Sequence, residues 1–175
     1  ANIGLNPKET RELHSYADYL NTRYGYDSIQ KLDSAAAQEL CPSPAYDGGI
    51  LDMSAGHLHP LRYALGLGQA AADAGVRIYE KTHVHHIQQG PRPSVRTDQG
   101  EVDCEHVILA CNGYLGGLNR KVASRVMPIN NFIAATEPLG DDAKRILNQD
   151  VAVADTKFVV NYFRLSHDGR LLFGG

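Results

Sequence analysis

Four consecutive apolar residues, Val107-Ile108-Leu109-Ala110, run directly into Cys111-Asn112-Gly113, and this junction constrains the fold more than any other stretch. A strand with one face in water alternates apolar and polar residues; a strand without alternation is covered on both faces, as in parallel sheets. In open α/β sheets, ligands lie beyond the carboxyl ends of the strands. The run therefore predicts a buried parallel strand over 107–110. It also places Ala110, Cys111, Asn112 and Gly113 where a ligand approaches.

The flanking sequence supports an α/β setting. "PLRYALGLGQAAADAG" has Pro60 at a first turn and Gly75 at its end, and predicts a largely buried helix. "VRIYEKTHVHHI", "SVRTDQGEVDC" and "HVILA" are short β-rich runs, with "DQG" as a hairpin turn between Thr97 and Glu101. The order is helix, strand, small β-meander, strand. "GLGQAA" matches a dinucleotide fingerprint through Gly66, Gly68 and Ala71, yet it lies inside a helix rather than after a strand, so its glycines are read as helix-packing residues.

The two ends of the chain have a different character. "ANIGL" and "YDGGILDM" read as strands. Pro7 opens a helix with Leu13, Tyr16, Ala17, Leu20 and Tyr24 at helical spacing and Gly25 as terminator, and Asp33 caps "SAAAQEL" before Pro42. "MPINNFIAATEPL", "KFVVNYFRL" and "RLLFGG" are strand-like, "DDAKRILNQD" is a short helix and "SHDG" is a turn. The fold class is mixed α/β: residues 1–55 and 128–175 form an antiparallel sheet with helices, and residues 56–127 form an α/β region with a small β-meander.

Composition limits the function classes. The 43% hydrophobic and 21% charged content suits a folded domain, and a net charge of -3 with scattered Lys and Arg provides no field for a nucleic-acid backbone. No apolar run reaches the length of a membrane span and no signal segment opens the sequence, so the expected location is cytoplasmic. Three cysteines without a C-x-x-C pair suggest reduced thiols. "THVHHI" puts His83 and His85 on one strand face, and "GHLHP" adds His57 and His59. Two same-face histidines are half a metal site, and no metal is expected. Cys111 as a nucleophile would need an activating base, which the sequence does not place, so it reads as a structural thiol.

Four stretches in order, "GGILDMSAGHLHPLRYALGLGQAAADAGVRIYEKTHV", "VILACNGYL", "VMPINNFIAATEPL" and "NYFRLSHDGRLLFGG", resemble the FAD-dependent D-amino-acid oxidase superfamily, most of all its gamma-glutamylputrescine oxidoreductase branch. The resemblance covers nearly the whole chain. It implies an FAD-dependent oxidoreductase that takes a hydride from the carbon bearing an amine, with gamma-glutamylputrescine as one candidate substrate. Family members also carry an N-terminal β-α-β fingerprint unit and a closing C-terminal strand and helix. Neither is found here, so the sequence is expected to be an internal segment, inactive alone and binding little or no FAD.

The same resemblance implies site residues. Val84 matches the position whose backbone meets the adenine, and Ala110, Cys111, Asn112 and Gly113 match the strand-end segment beside the cofactor. "NYFRL" matches a strand facing the flavin, which makes Tyr162 and Arg164 substrate-binding candidates on one strand face, with Arg164 suited to a carboxylate such as a glutamyl group. The alternative for Arg164 is a structural ion pair with Asp168 or Asp155. No residue is assigned as catalytic. His59 and Asn112 have local alternatives, a helix cap and a turn, and the loop from Met53 to Pro60 is a candidate cleft lining. A flavin-free binding module that keeps the fold is the alternative function. Exposed apolar faces also predict self-association of the segment.

Overall fold

The computed structural model describes residues 1–175. Strand β1 (Asn2–Gly4) leads into helix α1 (Pro7–Tyr24). The Asn6 side chain accepts from the Lys8 and Glu9 amides, and Glu9 reaches back to the Leu5 amide and the Asn6 side chain, a reciprocal cap. Gly25, at φ 64° in the left-handed region, ends α1 by donating to Asn21 O at 2.8 Å. Strand β2 (Ile29–Leu32) precedes α2 (Ser34–Leu40), where the Asp33 carboxylate accepts from the Ala36 amide at 2.9 Å. Strand β3 (Gly48–Asp52) and helix α3 (Pro60–Asp73) follow.

Next come β4 (Val84–Gln88), β5 (Ser94–Thr97) and β6 (Glu101–Asp103), a 3-10 turn at Asn112–Tyr114, and the short helix α4 (Arg120–Ala123). The chain closes with β7 (Ile133–Ala135), a 3-10 helix at Gly140–Arg145, β8 (Ala152–Asp155), β9 (Tyr162–Leu165) and β10 (Leu171–Gly174). Two compact units result: Ala1–Leu61 with Asn131–Gly175, and Arg62–Asn130.

The first unit is built on a seven-stranded sheet in the order β2-β3-β1-β8-β9-β10-β7. Its pairs are antiparallel except β1 with β8, which run parallel, so the expected antiparallel sheet is mixed. The sequence reading lacked β2 and β8, the latter being the strand that joins β1 to the C-terminal hairpin. Its core is Ile3, Cys41, Leu147, Val153 and Phe163, with Leu32, Ala37 and Leu40 beside it. Burial raises the Cys41 thiol pKa.

Helix α1 does not bury all of its predicted stripe. Thr10 and Ala17 are buried, while Tyr16 and Tyr24 are exposed. Small residues win at this contact because α1 lies on glycine: a Cβ on Gly48 would come within 2.6 Å of Thr10 Cγ2, and one on Gly4 within 2.9 Å of the Thr10 amide. His14 Nε2 then reaches Leu32 O at 3.1 Å and Gly49 O at 3.0 Å.

The second unit contains the predicted meander, an antiparallel β4-β5-β6 sheet whose hairpin is closed by Thr97 N donating to Gly100 O at 2.8 Å. Two expectations fail here. Residues 107–110 form no strand, and Ile108 is 88% exposed. Residues 76–79, at the start of "VRIYEKTHVHHI", also form no strand, and Val76, Ile78 and Tyr79 are exposed. A strand needs a hydrogen-bonding neighbour as well as cover for its faces, and neither run is paired with any of the chain's ten strands. Helix α3 likewise has the predicted start but buries no residue, with Leu61, Tyr63, Leu65 and Leu67 exposed.

Candidate functional site

Strand β9 sorts its side chains by alternation. Phe163 points into the core of the first unit and stacks on Phe173 with centroids 5.8 Å apart. Tyr162 and Arg164 line a cavity of about 200 Å³, together with Leu58, Pro60, Ile133 and Leu172. The sequence expectation that Tyr162 and Arg164 share a face is met by this placement.

Arg164 has neither of the ion pairs weighed from the sequence. Its Nη2 donates to Leu58 O at 3.1 Å and its Nη1 to Leu165 O at 3.3 Å. Asp168 instead accepts from Ser166 Oγ at 2.5 Å and Arg170 Nε at 2.8 Å, and its carboxyl is held down at about 2, first by the Ser166 hydroxyl and then by Arg170. Asp155 accepts from the Lys157 and Asn161 amides and from Asn161 Nδ2, and so shapes the loop between β8 and β9. Arg164 thus brings an uncompensated positive charge to a mostly apolar cavity. Such a guanidinium suits a carboxylate, which takes two parallel N–H bonds. The Tyr162 hydroxyl donates to Asn131 Oδ1, a partner the sequence did not suggest.

The loop from Met53 to Pro60 divides its residues between two cavities of this unit. Leu58 and Pro60 line the Arg164 cavity. Met53, Ala55, Gly56 and His57 line a larger one of about 380 Å³ with Asp52 and Asp150. His57 Nε2 meets Asp150 Oδ1 at 3.1 Å. The Tyr26 hydroxyl, donating at 2.7 Å, and then the Ser54 and Ala55 amides, hold the Asp52 carboxyl below its ordinary value.

In the second unit, Val84 opens β4 opposite Thr97, and the register slips between Val84 and His86. Ala110 is exposed and Cys111 is a half-buried free thiol. Asn112 has φ 47°, a left-handed conformation that asparagine tolerates better than most residues. The turn closes through Tyr114 N donating to Cys111 O at 3.0 Å. A Cβ on Gly113 would make only ordinary contact with Pro128 at 3.6 Å, so nothing within this chain requires glycine there. The His83 and His85 rings lie 4.8 Å apart, and no group of three or more His, Cys, Asp or Glu converges anywhere in the chain.

The dinucleotide-fingerprint match does not form a phosphate turn. Gly66 and Gly68 lie within α3, and a Cβ on either would meet nothing within 4 Å, so they serve neither a phosphate turn nor the close helix packing expected from sequence. The Lys8 and Glu9 amides of α1, the Ala36 amide of α2 and the Val122 amide of α4 bond to the Asn6, Asp33 and Asn119 side chains.

Comparison with known proteins decides the family. Residues 2–175 match the model of the DAO family, described as FAD dependent oxidoreductase. The chain belongs to this family. It is 38% identical over 174 residues to the probable oxidoreductase OrdL of Rhizobium meliloti, covering 99% of this chain and 40% of that protein. It is 35% identical over 175 residues to the gamma-glutamylputrescine oxidoreductase of Escherichia coli, covering 99% and 41% respectively. The chain therefore spans about two fifths of the length of these relatives.

Family membership agrees with the fold. The crystal structure of glycine oxidase from Geobacillus kaustophilus aligns with a TM-score of 0.76 at 19% identity, over 98% of this chain and 45% of that one. L-proline dehydrogenase from P. horikoshii aligns with a TM-score of 0.78 at 15% identity, over 98% and 46%. The cofactor of the family is FAD. Gly66 and Gly68, inside α3, form no diphosphate turn for it.

Proposed function

We propose that this sequence forms part of an FAD-dependent oxidoreductase that oxidises the C–N bond of an amine substrate that also bears a carboxylate. The observation that carries this reading is the Arg164 guanidinium, without a carboxylate partner, beside Tyr162 in one cavity. Arg164 binds the substrate carboxylate. Tyr162, Leu58 and Pro60 wall the cavity. The relative named gamma-glutamylputrescine oxidoreductase suggests gamma-glutamylputrescine as the first substrate to test.

The flavin, when bound by the intact protein, supplies the hydride acceptor. A neutral amine is the form that can give up hydride to it, and this chain's part is to hold the substrate through Arg164. No nucleophile is required, so Cys111 has no covalent role in this reading. Val84 and the Ala110–Gly113 segment are assigned to the flavin side, and the first unit to the substrate side. The chain alone holds little or no FAD, because its fingerprint match lies inside α3 and not in a phosphate turn.

The test is the intact protein carrying this sequence. A flavin absorption spectrum, bleached anaerobically by gamma-glutamylputrescine, supports the proposal. A colourless protein indifferent to added FAD refutes it and favours a flavin-free binding module. A fluorescence titration of FAD with the 175-residue chain alone checks the second claim; micromolar binding refutes it.

A further inference from the structure

We propose that Gly174 is a positioning residue for the substrate cavity. Its missing side chain lets the Tyr162 ring lie across β10 with its hydroxyl on Asn131, and this fixes one wall beside Arg164. The inference rests on the reading of Tyr162 and Arg164 as substrate-binding residues.

Gly174 lies directly opposite Tyr162 in the antiparallel β9–β10 pair and opposite Ile133 on its other side. It is buried and lines the Arg164 cavity. A Cβ built there would stand 2.5 Å from Tyr162 Cε2 and Cζ and 2.6 Å from the hydroxyl oxygen. Non-bonded carbons rest about 3.5–4.0 Å apart, so the overlap is about an ångström.

Backbone freedom does not explain this glycine, because its φ lies outside the left-handed region that favours glycine. Space explains it. The group in the way is the tip of a ring free to turn at χ1, while the strand is held by pairs on both edges. An added methyl group therefore moves the ring and spares the strand. The displaced ring leaves Asn131, and the cavity loses or misplaces a wall. The damage falls on binding, since neither Gly174 nor Asn131 is placed at the reacting carbon.

The test uses Gly174→Ala, Tyr162→Ala and the double variant in the intact flavoprotein, with gamma-glutamylputrescine as the probe. Gly174→Ala should raise KM about tenfold, the scale of one lost hydrogen bond or ring contact, with kcat within about twofold. In the Tyr162→Ala background the same change should move KM by less than about twofold, because the new Cβ then meets no ring. A crystal structure of Gly174→Ala should show the ring withdrawn from Asn131. An unmoved ring, or an equal KM cost in both backgrounds, overturns the inference. If Gly174→Ala lowers the yield of folded protein, Tyr162→Ala should restore it, and failure to restore also overturns it. The reading beneath fails separately: an unchanged KM in Tyr162→Ala removes Tyr162 from the substrate site whatever the ring does in Gly174→Ala.

Discussion

Replacing Arg164 by Met tests the proposed function most directly. A guanidinium carries five N–H donors, and two of Arg164's are engaged, with Leu58 O and Leu165 O. The three that remain are enough for a bidentate carboxylate. Removing one partner of a desolvated, hydrogen-bonded charge pair costs about 2–5 kcal/mol. Arg164 is half-buried, which places it at the lower end. A loss of about 2–3 kcal/mol corresponds to a fall of roughly 30- to 150-fold in kcat/KM.

The assay is oxygen uptake or dye reduction by the intact protein with gamma-glutamylputrescine and with putrescine, which has the amine and no carboxylate. The fall should be confined to the first substrate, with less than about a threefold change for the second. Arg164→Lys keeps the charge and loses the planar fork, so its loss should be intermediate. Equal losses on both substrates would refute the reasoning. They would show that Arg164 acts by holding the Leu58 loop through its hydrogen bond rather than by binding a carboxylate.

Three other predictions concern the scaffold. Gly49→Ala places a Cβ 2.3 Å from the Asn2 carbonyl oxygen, a main-chain atom of the paired strand, and should cost about 1–3 kcal/mol; Gly66→Ala in α3 meets nothing and should stabilise by up to about 1 kcal/mol. Thermal unfolding of the intact protein, followed by circular dichroism, checks the opposite signs. The Asp168 carboxyl is depressed to about 2, so its support of the turn is complete above its unfolded pKa of about 3.9 and is lost as pH falls from there through about 2. An NMR titration of the Asp168 side chain should show that midpoint, and one near 4 would contradict the Ser166 and Arg170 bonds. Exposed Leu65, Ile78, Ile108 and Met127 should make the isolated chain self-associate with rising concentration; sedimentation as a monomer at every concentration would refute this.

The features legible in the sequence are those closed by neighbours along the chain. Asn112–Gly113 reads as a turn from its residue types, while the left-handed φ of Asn112 depends on the surrounding chain. The shared face of Tyr162 and Arg164 followed from the two-residue period of a strand. Arg164's carbonyl partners, the Asn131 hydrogen bond and the close pairing with Gly174 could not be read, because each joins segments distant in sequence. A glycine inside the strand-like "RLLFGG" was the available signal, since glycine within a strand often marks close approach by another group.

Local structure follows from residue types near in the chain: the Pro7 and Asp33 helix starts, the Gly25 stop and the hairpin at 97–101. Their hydrogen bonds and backbone preferences close within a few residues. Tertiary structure alone decided the parallel β1–β8 pair, the partners of Arg164 and the fate of Val107–Ala110. An apolar run states what cover a strand requires; only the fold decides whether the neighbouring strand is there to provide the hydrogen bonds.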